Sequence, residues 1–122
     1  MSKILLIDDS RFSRSVIKQA LGTEYEFSEA ENGLSGLEQY FIVHPELVIL
    51  DLTMPEMNGL DVLQRLRQMD PQARVMICTA DIQNYSREQA QILGAAGFIA
   101  KPIIPGDMRS MVEKALSSGE KE

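Results

Sequence analysis

Residues 47–59 of this 122-residue chain are Leu47-Val48-Ile49-Leu50-Asp51-Leu52-Thr53-Met54-Pro55-Glu56-Met57-Asn58-Gly59. The segment begins with four aliphatic residues, and such a short apolar run is typical of a strand buried on both faces in a parallel sheet. Pro55 and the Asn58-Gly59 pair indicate a loop before the next helix. Asp51 therefore stands at the carboxyl end of a central strand, at the edge of an open α/β sheet where ligands bind.

The rest of the chain repeats this strand-then-helix pattern. Apolar runs at 4–7, 75–78 and 97–100 predict three more strands, and the alternating segment 25–30 predicts a half-exposed strand at a sheet edge. Five strands that alternate with five helices predict an α/β fold, a parallel sheet with helices on both faces.

The helices have recognisable ends. Ser10 is expected to cap the first helix, and Gly22 to end it in a left-handed conformation. The fourth helix is predicted over Ser86–Leu93, and Pro105 starts the fifth. Apolar residues follow at helical spacing, namely Phe12, Val16, Ile17, Ala20 and Leu21 in the first helix and Leu34, Leu37, Tyr40 and Phe41 in the second.

Composition narrows the class of protein. With 44% hydrophobic residues the chain can build a core, and residues 1–122 are predicted to form a single domain with a frayed polar tail from Ser117. The net charge of −6 argues against direct binding of nucleic acid or anionic membranes. The lone Cys78 is predicted to be a buried thiol, which suits a cytoplasmic protein, and the apolar run at 4–7 is too short for a signal peptide or membrane span.

Charged and hydroxyl residues follow four of the strands. Asp8 and Asp9 come after the first strand, Asp51 after the third, Thr79 after the fourth and Lys101 after the fifth. Because carboxyl ends of parallel strands meet at one edge, these side chains are expected to converge. Three nearby carboxylates require either a raised pKa or a neutralising cation.

The donor types favour a hard ion. The only histidine, His44, precedes the third strand, so oxygen ligands remain, and these suit Mg²⁺. A carboxylate, Mg²⁺, the Lys101 ammonium and the Thr79 hydroxyl would cradle a phosphoryl group, and the carboxylate could attack phosphorus to form an aspartyl phosphate. The alternative is a set of ordinary solvated strand ends, with Asp8-Asp9 as a favourable charge pair at a helix N-terminus.

Four motifs then resemble a known family: Asp8-Asp9, Leu50-Asp51 followed by Met54-Pro55 and Gly59, Thr79-Ala80, and Phe98 three positions before Lys101-Pro102. In this combination, over roughly residues 3–116, the chain resembles the receiver domains of two-component response regulators. The resemblance implies a flavodoxin-like, doubly wound, five-stranded sheet of order 2-1-3-4-5. It also implies a signalling switch rather than an enzyme.

The resemblance assigns roles around Asp51. Asp51 is the expected phosphoacceptor, charged by the phosphohistidine of a histidine kinase or by a phosphotransfer protein. Asp9, Asp51 and the main-chain carbonyl of Thr53 are expected to bind Mg²⁺, with Asp8 acting through water. Lys101 is expected to bind the phosphoryl group, together with Thr79.

The resemblance also implies how the signal leaves the site. Thr79 and Phe98 are the expected switch residues, and Lys101-Pro102 is expected to be a cis peptide. Phe98 either packs beside the fourth strand or lies outward, and plain core packing is the alternative. The face formed by the fourth helix, fifth strand and fifth helix is the expected surface for a downstream protein effector. Thr53 and Asp81 occupy positions that tune dephosphorylation in the family.

Three other functions remain open at this point. A magnesium-dependent phosphatase of the haloacid dehalogenase type also uses an Asp nucleophile, but it expects a second Asp where Thr53 stands. A pseudo-receiver would bind partners without phosphorylation, which the complete set of site residues argues against. The chain could also be the N-terminal receiver module of a longer regulator.

Overall fold

The computed structural model describes residues 1–82 and 87–117. Within them, strands alternate with helices along the chain. The strands are β1 (Ser2–Ile7), β2 (Tyr25–Ala30), β3 (Leu47–Leu50), β4 (Val75–Thr79) and β5 (Gly97–Ala100). The helices are α1 (Arg11–Leu21), α2 (Gly33–Val43), α3 (Gly59–Met69), α4 (Arg87–Ile92) and α5 (Pro105–Ser117).

The strands form one parallel sheet in the order β2-β1-β3-β4-β5. This confirms the doubly wound α/β fold and the 2-1-3-4-5 order. β3 and β4 are buried along their whole lengths, as their aliphatic runs predict. β2 lies at an edge and stays partly exposed along most of its length.

Each face of the sheet has its own core, because successive strand residues point to opposite faces. One face packs against α2 and α3 through Leu5, Ile7, Val48, Leu50, Val75 and Ile77. The other packs against α1 and α5 through Ile4, Leu6, Leu47, Ile49, Met76 and Cys78. Burying one such Leu or Ile contributes about 1.5–3 kcal/mol. With both faces covered, the carboxyl edge of the sheet is left for the polar residues.

The ends of α1 show one confirmed expectation and one correction. The Ser10 hydroxyl accepts a hydrogen bond from the Ser13 amide at 3.1 Å, which confirms the predicted cap. Gly22 has the expected positive φ of 78°, but its ψ of −158° lies outside the left-handed helical region. The combination of φ and ψ that Gly22 adopts is open essentially only to glycine. It directs the chain from the end of α1 into the extended segment before β2.

Three of the apolar residues that the sequence places at helical spacing in α1 and α2 are exposed. Phe12 is 79% exposed, Leu34 66% and Phe41 41%. Phe12 and Leu34 lie in the first turns of α1 and α2. Phe41 packs edge-on against Tyr40, with ring centroids 5.2 Å apart.

The last third of the chain follows the predicted order. α4 spans Arg87–Ile92, and Gly94 follows it with a φ of 90°. Ser86, the predicted start of this helix, lies outside the described residues, as do residues 118–122 of the predicted frayed tail. Among residues 1–82 and 87–117, no helix is long and apolar enough to cross a bilayer.

Candidate functional site

Main-chain hydrogen bonds continue past the strand ends and align the residues that follow them. The Asp8 amide donates to the Ala30 carbonyl at 3.0 Å, and the Asp51 amide donates to the Ile7 carbonyl at 2.9 Å. The Lys101 amide donates to the Thr79 carbonyl at 2.8 Å. The parallel register therefore brings these residues to one edge, as the sequence predicted.

Gly59 allows a close approach just after Asp51. A Cβ at this position would lie 2.4 Å from the Leu52 Cα and 2.7 Å from the Asp51 carbonyl oxygen. The Gly59 amide donates to the Leu52 carbonyl at 3.1 Å. The start of α3 is thereby packed directly onto the chain that carries Asp51.

Three carboxylates converge at the edge. Asp8, Asp9 and Asp51 offer oxygen atoms that all lie within 4.8 Å of one another. Asp8 and Asp51 are buried, at 2% and 7% exposed, whereas Asp9 is exposed. Asp9 and Asp51 line an open cleft together with Thr53, Ala80 and Asp81.

Lys101 bridges the two buried acids. Its Nζ lies 2.9 Å from Asp8 Oδ2 and 3.3 Å from Asp51 Oδ2, and its side chain is 17% exposed. Three carboxylates face this one ammonium, so two formal negative charges remain unbalanced among these groups. Such an excess favours a cation at the cleft.

Burial and charge shift the pKa of both partners in the Lys101–Asp51 pair. Burial raises the pKa of Asp51, while the Lys101 charge and the Thr53 amide, which donates to Asp51 Oδ1 at 3.2 Å, partly offset that rise. Burial lowers the pKa of Lys101, but the hydrogen bond to Asp8 and the charges of Asp51 and Asp8 outweigh it, so the net pKa is raised. Lys101 is therefore held as a cation beside an acid that ionises at some cost.

Thr79 lies beside the cleft but is fully buried. Its Oγ1 accepts a hydrogen bond from the Asp81 amide at 3.2 Å. A hydroxyl that accepts in this way still carries one proton that it can donate. The cleft wall at this point is formed by Ala80 and Asp81.

Phe98 is packed inward, at 7% exposed, in the core that includes Leu50 and Ile77. The Arg87 guanidinium lies 5.4 Å from the Phe98 ring centroid, and its Nη1 donates to the Phe98 carbonyl at 3.2 Å. The sequence left two placements open for the Phe98 ring, and the structure has the inward one. Lys101-Pro102 is a cis peptide, as expected.

Two arginines lie near these residues, and the sequence did not predict a role for either. Arg87 lies at the start of a short helix with weak periodicity, which gave no signal. Arg14 is only 8% exposed and donates to the Asp8 carbonyl. A signal for Arg14 exists, because it shares the inward stripe of α1 with Ile17 and Leu21, where a charged residue is unusual.

The donor set fits a hard divalent cation. The three acids supply only oxygen ligands, which suit Mg²⁺ better than a transition metal. The exposed Asp9 and the cleft-lining Asp51 leave room for water ligands, which Mg²⁺ usually retains. The edge of the sheet is thus an acidic pocket that could bind a metal.

Comparison with known proteins identifies the family and agrees with the fold. The sequence profile described as the response regulator receiver domain matches residues 4–113. The chain belongs to the response regulator receiver family. It is 40% identical over 117 residues to chemotaxis protein CheY of Listeria monocytogenes, covering 94% of this chain and 98% of that protein.

Solved structures agree with this assignment. A CheY-like receiver domain protein from Methanospirillum hungatei superposes with a TM-score of 0.89 at 26% identity, covering 99% of this chain and 98% of that one. Response regulator TrrA of Thermotoga maritima, solved in complex with Mg²⁺-BeF, superposes with a TM-score of 0.85 at 30% identity, covering 94% and 99%. Receiver domains are signalling switches of two-component systems, and they interact with histidine kinases and downstream effectors.

Proposed function

We propose that Asp51 accepts a phosphoryl group from the phosphohistidine of a histidine kinase or of a phosphotransfer protein. An Asp51 carboxylate oxygen attacks phosphorus and forms a P–O bond, while the donor's P–N bond breaks and its imidazole leaves with the electron pair. The observation that carries the proposal is the Lys101 ammonium, which spans Asp8 and Asp51 beside the cleft that Asp51 lines.

The surroundings of the three acids favour Asp51 as the nucleophile. Asp8 is 2% exposed, and its two oxygens accept from the Ser10 amide and from Lys101 at 2.9 Å each. The oxygens of Asp51 are held less tightly, at 3.2 Å from the Thr53 amide and 3.3 Å from Lys101. Asp9 is exposed, so water weakens it as a nucleophile. Asp51 combines partial desolvation with access to the cleft.

The proposed metal is Mg²⁺, held by Asp9, Asp51 and the Thr53 main-chain carbonyl, with Asp8 acting through water. When bound, the ion would neutralise charge on the transferring phosphoryl oxygens. The Mg²⁺-BeF complex of TrrA, a relative with the same fold, supports this part of the proposal.

Lys101 and Thr79 are proposed to bind the phosphoryl oxygens. Lys101 is already held beside Asp51 as a cation, so its charge lies where the phosphoryl group would arrive. Thr79 accepts from the Asp81 amide through Oγ1 and can still donate its own proton. Both groups act as positioned donors toward developing negative charge.

The proposed output is a change on the surface formed by α4, β5 and α5, with Thr79 and Phe98 as the switch. Two adjoining cavities of about 430 and 290 Å³ open on this surface, and Arg87, Phe98 and Met111 line both. Movement of Thr79 toward a phosphoryl group frees space next to β5, where Phe98 lies. Repacking of that ring would alter the surface that a downstream protein effector contacts.

Intact-mass spectrometry tests the chemistry. The wild-type protein incubated with Mg²⁺ and phosphoramidate or acetyl phosphate is expected to gain one phosphoryl group, and Asp51→Asn to gain none. Asp61→Asn, at an exposed acid on α3, is the matched control and should be modified normally. Undiminished phosphorylation of Asp51→Asn rejects the assignment.

NMR spectroscopy with the phosphoryl mimic beryllofluoride tests the output. Chemical-shift changes are expected to extend from the site to residues 79–93 and 97–111. Changes confined to the loops that carry Asp9, Asp51 and Lys101 would show that this surface is not the output.

We also propose that residues 1–122 form a single receiver domain that acts in the cytoplasm, where a buried free thiol such as Cys78 stays reduced. Thr53, in place of a second Asp, argues against a haloacid dehalogenase-type phosphatase. Steady release of phosphate from phosphate monoesters would favour that phosphatase instead.

A further inference from the structure

Arg14 is a buried charge that the proposed phosphoryl chemistry does not use. Its side chain is 10% exposed, and it lies on the face of α1 that packs against the sheet. A buried guanidinium is costly unless its donors are hydrogen-bonded. The hydrogen-bond partners of the Arg14 guanidinium therefore indicate why a charge is buried at this position.

Both partners lie close to the acidic site. Arg14 Nε donates to Glu29 Oε1 at 2.7 Å, and Arg14 Nη1 donates to the Asp8 carbonyl at 2.6 Å. The Asp8 amide donates a hydrogen bond to the carbonyl of Ala30, the residue after Glu29 on β2. Arg14 thus connects α1, the edge strand β2 and the turn that follows β1.

The Asp8 carbonyl belongs to the peptide group that joins Asp8 to Asp9. A peptide group is planar, so a hydrogen bond to its oxygen orients the whole plane and the two Cα atoms on either side of it. The directions of the Asp8 and Asp9 side chains both depend on that plane. One contact from Arg14 therefore restrains two of the three acids in the site.

We propose that Arg14 is a positioning residue for the metal and phosphoryl site, acting by fixing the Asp8–Asp9 peptide plane. The role of the site in phosphoryl transfer rests on the proposed function. The restraint on the Asp8–Asp9 peptide plane rests on the hydrogen bonds of Arg14 alone. It makes the Arg14–Glu29 pair part of the site, although neither side chain touches the cleft-lining Asp51 in this arrangement.

Lys18 provides a control within the same helix. Its Nζ lies 2.8 Å from Glu29 Oε2, so both cations share one carboxylate. Lys18 is 38% exposed and lies one turn beyond Arg14 along α1. Loss of Lys18 removes an ion pair between α1 and β2 but leaves the contact between Arg14 and Asp8 in place.

The test compares Arg14→Lys with Lys18→Gln by titrating Mg²⁺ calorimetrically. Arg14→Lys keeps the charge but loses the fork that reaches Glu29 and Asp8 together. We expect its Mg²⁺ affinity to fall about tenfold, the scale on which outer partners of ligands act. Phosphorylation by phosphoramidate should slow at low Mg²⁺ and recover at saturating Mg²⁺, and Lys18→Gln should bind Mg²⁺ as the wild-type protein does.

A merely structural role for Arg14 predicts a different result. Both variants would then lose melting temperature without Mg²⁺, while their Mg²⁺ affinities would equal that of the wild-type protein. That outcome, or an equal loss of affinity in Lys18→Gln, overturns the proposal. A wild-type protein that binds no Mg²⁺ overturns it as well.

A measurement on the wild-type protein covers the case in which Arg14→Lys does not fold. The NMR signal of the Arg14 Nε–H group should shift on addition of Mg²⁺, because ligand binding at Asp9 acts on the same peptide plane. A signal that does not move overturns the proposal. If Mg²⁺ shifts this signal but Asp51 is never phosphorylated, the positioning role stands and the proposed function fails.

Discussion

Asp51 and Lys101 hold opposite charges in a partly desolvated site, and the site acids exceed the cations. Burial makes the ionised form of Asp51 costly, and the neighbouring Asp8 charge adds to that cost. Lys101 offsets only part of it. The folded protein therefore binds a proton at Asp51 more tightly than the unfolded chain does, and this difference links stability to pH.

Asp51→Asn should be more stable than the wild-type protein at pH 7 without Mg²⁺. The stability that protonated Asp51 contributes is present at low pH and is lost as the pH rises through its raised pKa. The advantage of the Asn variant should therefore shrink as the pH falls toward 3.8, the ordinary value for Asp. Urea unfolding from pH 4 to 7 measures this, and Asp61→Asn serves as the control; an advantage of constant size would contradict the pKa direction.

Among the helices, α2 and α3 are joined by a hydrogen bond between their C-terminal ends. The Tyr40 hydroxyl donates to Asp70 Oδ2 at 2.7 Å, and Asp70 is the C-cap of α3. This bond and the Gln72 amide lower the pKa of Asp70, and burial with Asp70 nearby raises that of Tyr40. The pair aligns the two helices that cover one face of the sheet.

Tyr40→Phe should destabilise the protein by about 1 kcal/mol at pH 7, the usual value of one hydrogen bond. A carboxyl group with a lowered folded pKa stabilises above its unfolded value, here 3.8, and loses that contribution as the pH falls. The cost of Tyr40→Phe should therefore diminish below pH 4. Urea unfolding would detect this, with Tyr25→Phe on the edge strand as the control; a cost that grows in acid would contradict the assigned bond.

In the molecule as a whole, the fold and the convergence of the site residues could be predicted from the sequence because both follow from periodicity. Four aliphatic residues before Asp51 mark a central strand, and parallel strands leave their carboxyl ends at one edge. The placement of Asp8, Asp51 and Lys101 needed no further information. Sheet order required the resemblance to a known family, since right-handed crossovers leave more than one order possible.

Features that depend on three-dimensional packing could not be predicted in this way. Asp8 and Asp9 are neighbours in sequence, yet one is buried and the other exposed, because the chain turns between them. Phe12 fits the apolar spacing of α1 but is 79% exposed. Arg14 contradicts the apolar pattern, and only its contacts with Glu29 and the Asp8 carbonyl explain why a charge is tolerated there.

If the acidic pocket binds Mg²⁺ as proposed, the excess of negative charge should make the stability of the whole fold depend on this ion. An ion that binds only the folded state at ten times its Kd should add about 1.4 kcal/mol, which raises the melting temperature by roughly 5 °C in a domain of this size. Asp9→Ala should abolish the rise, with potassium chloride of equal ionic strength as the salt control. A rise that persists in Asp9→Ala would place the ion elsewhere.

Locating the modified residue tests the central claim most directly. After phosphorylation with phosphoramidate and Mg²⁺, borohydride reduction converts an acyl phosphate to homoserine, and tandem mass spectrometry of the peptides identifies the position. We predict homoserine at position 51 in the wild-type protein. Homoserine at position 8 or 9, or a phosphoryl group that borohydride leaves on a hydroxyl residue, would contradict the assignment of Asp51 as the phosphoacceptor.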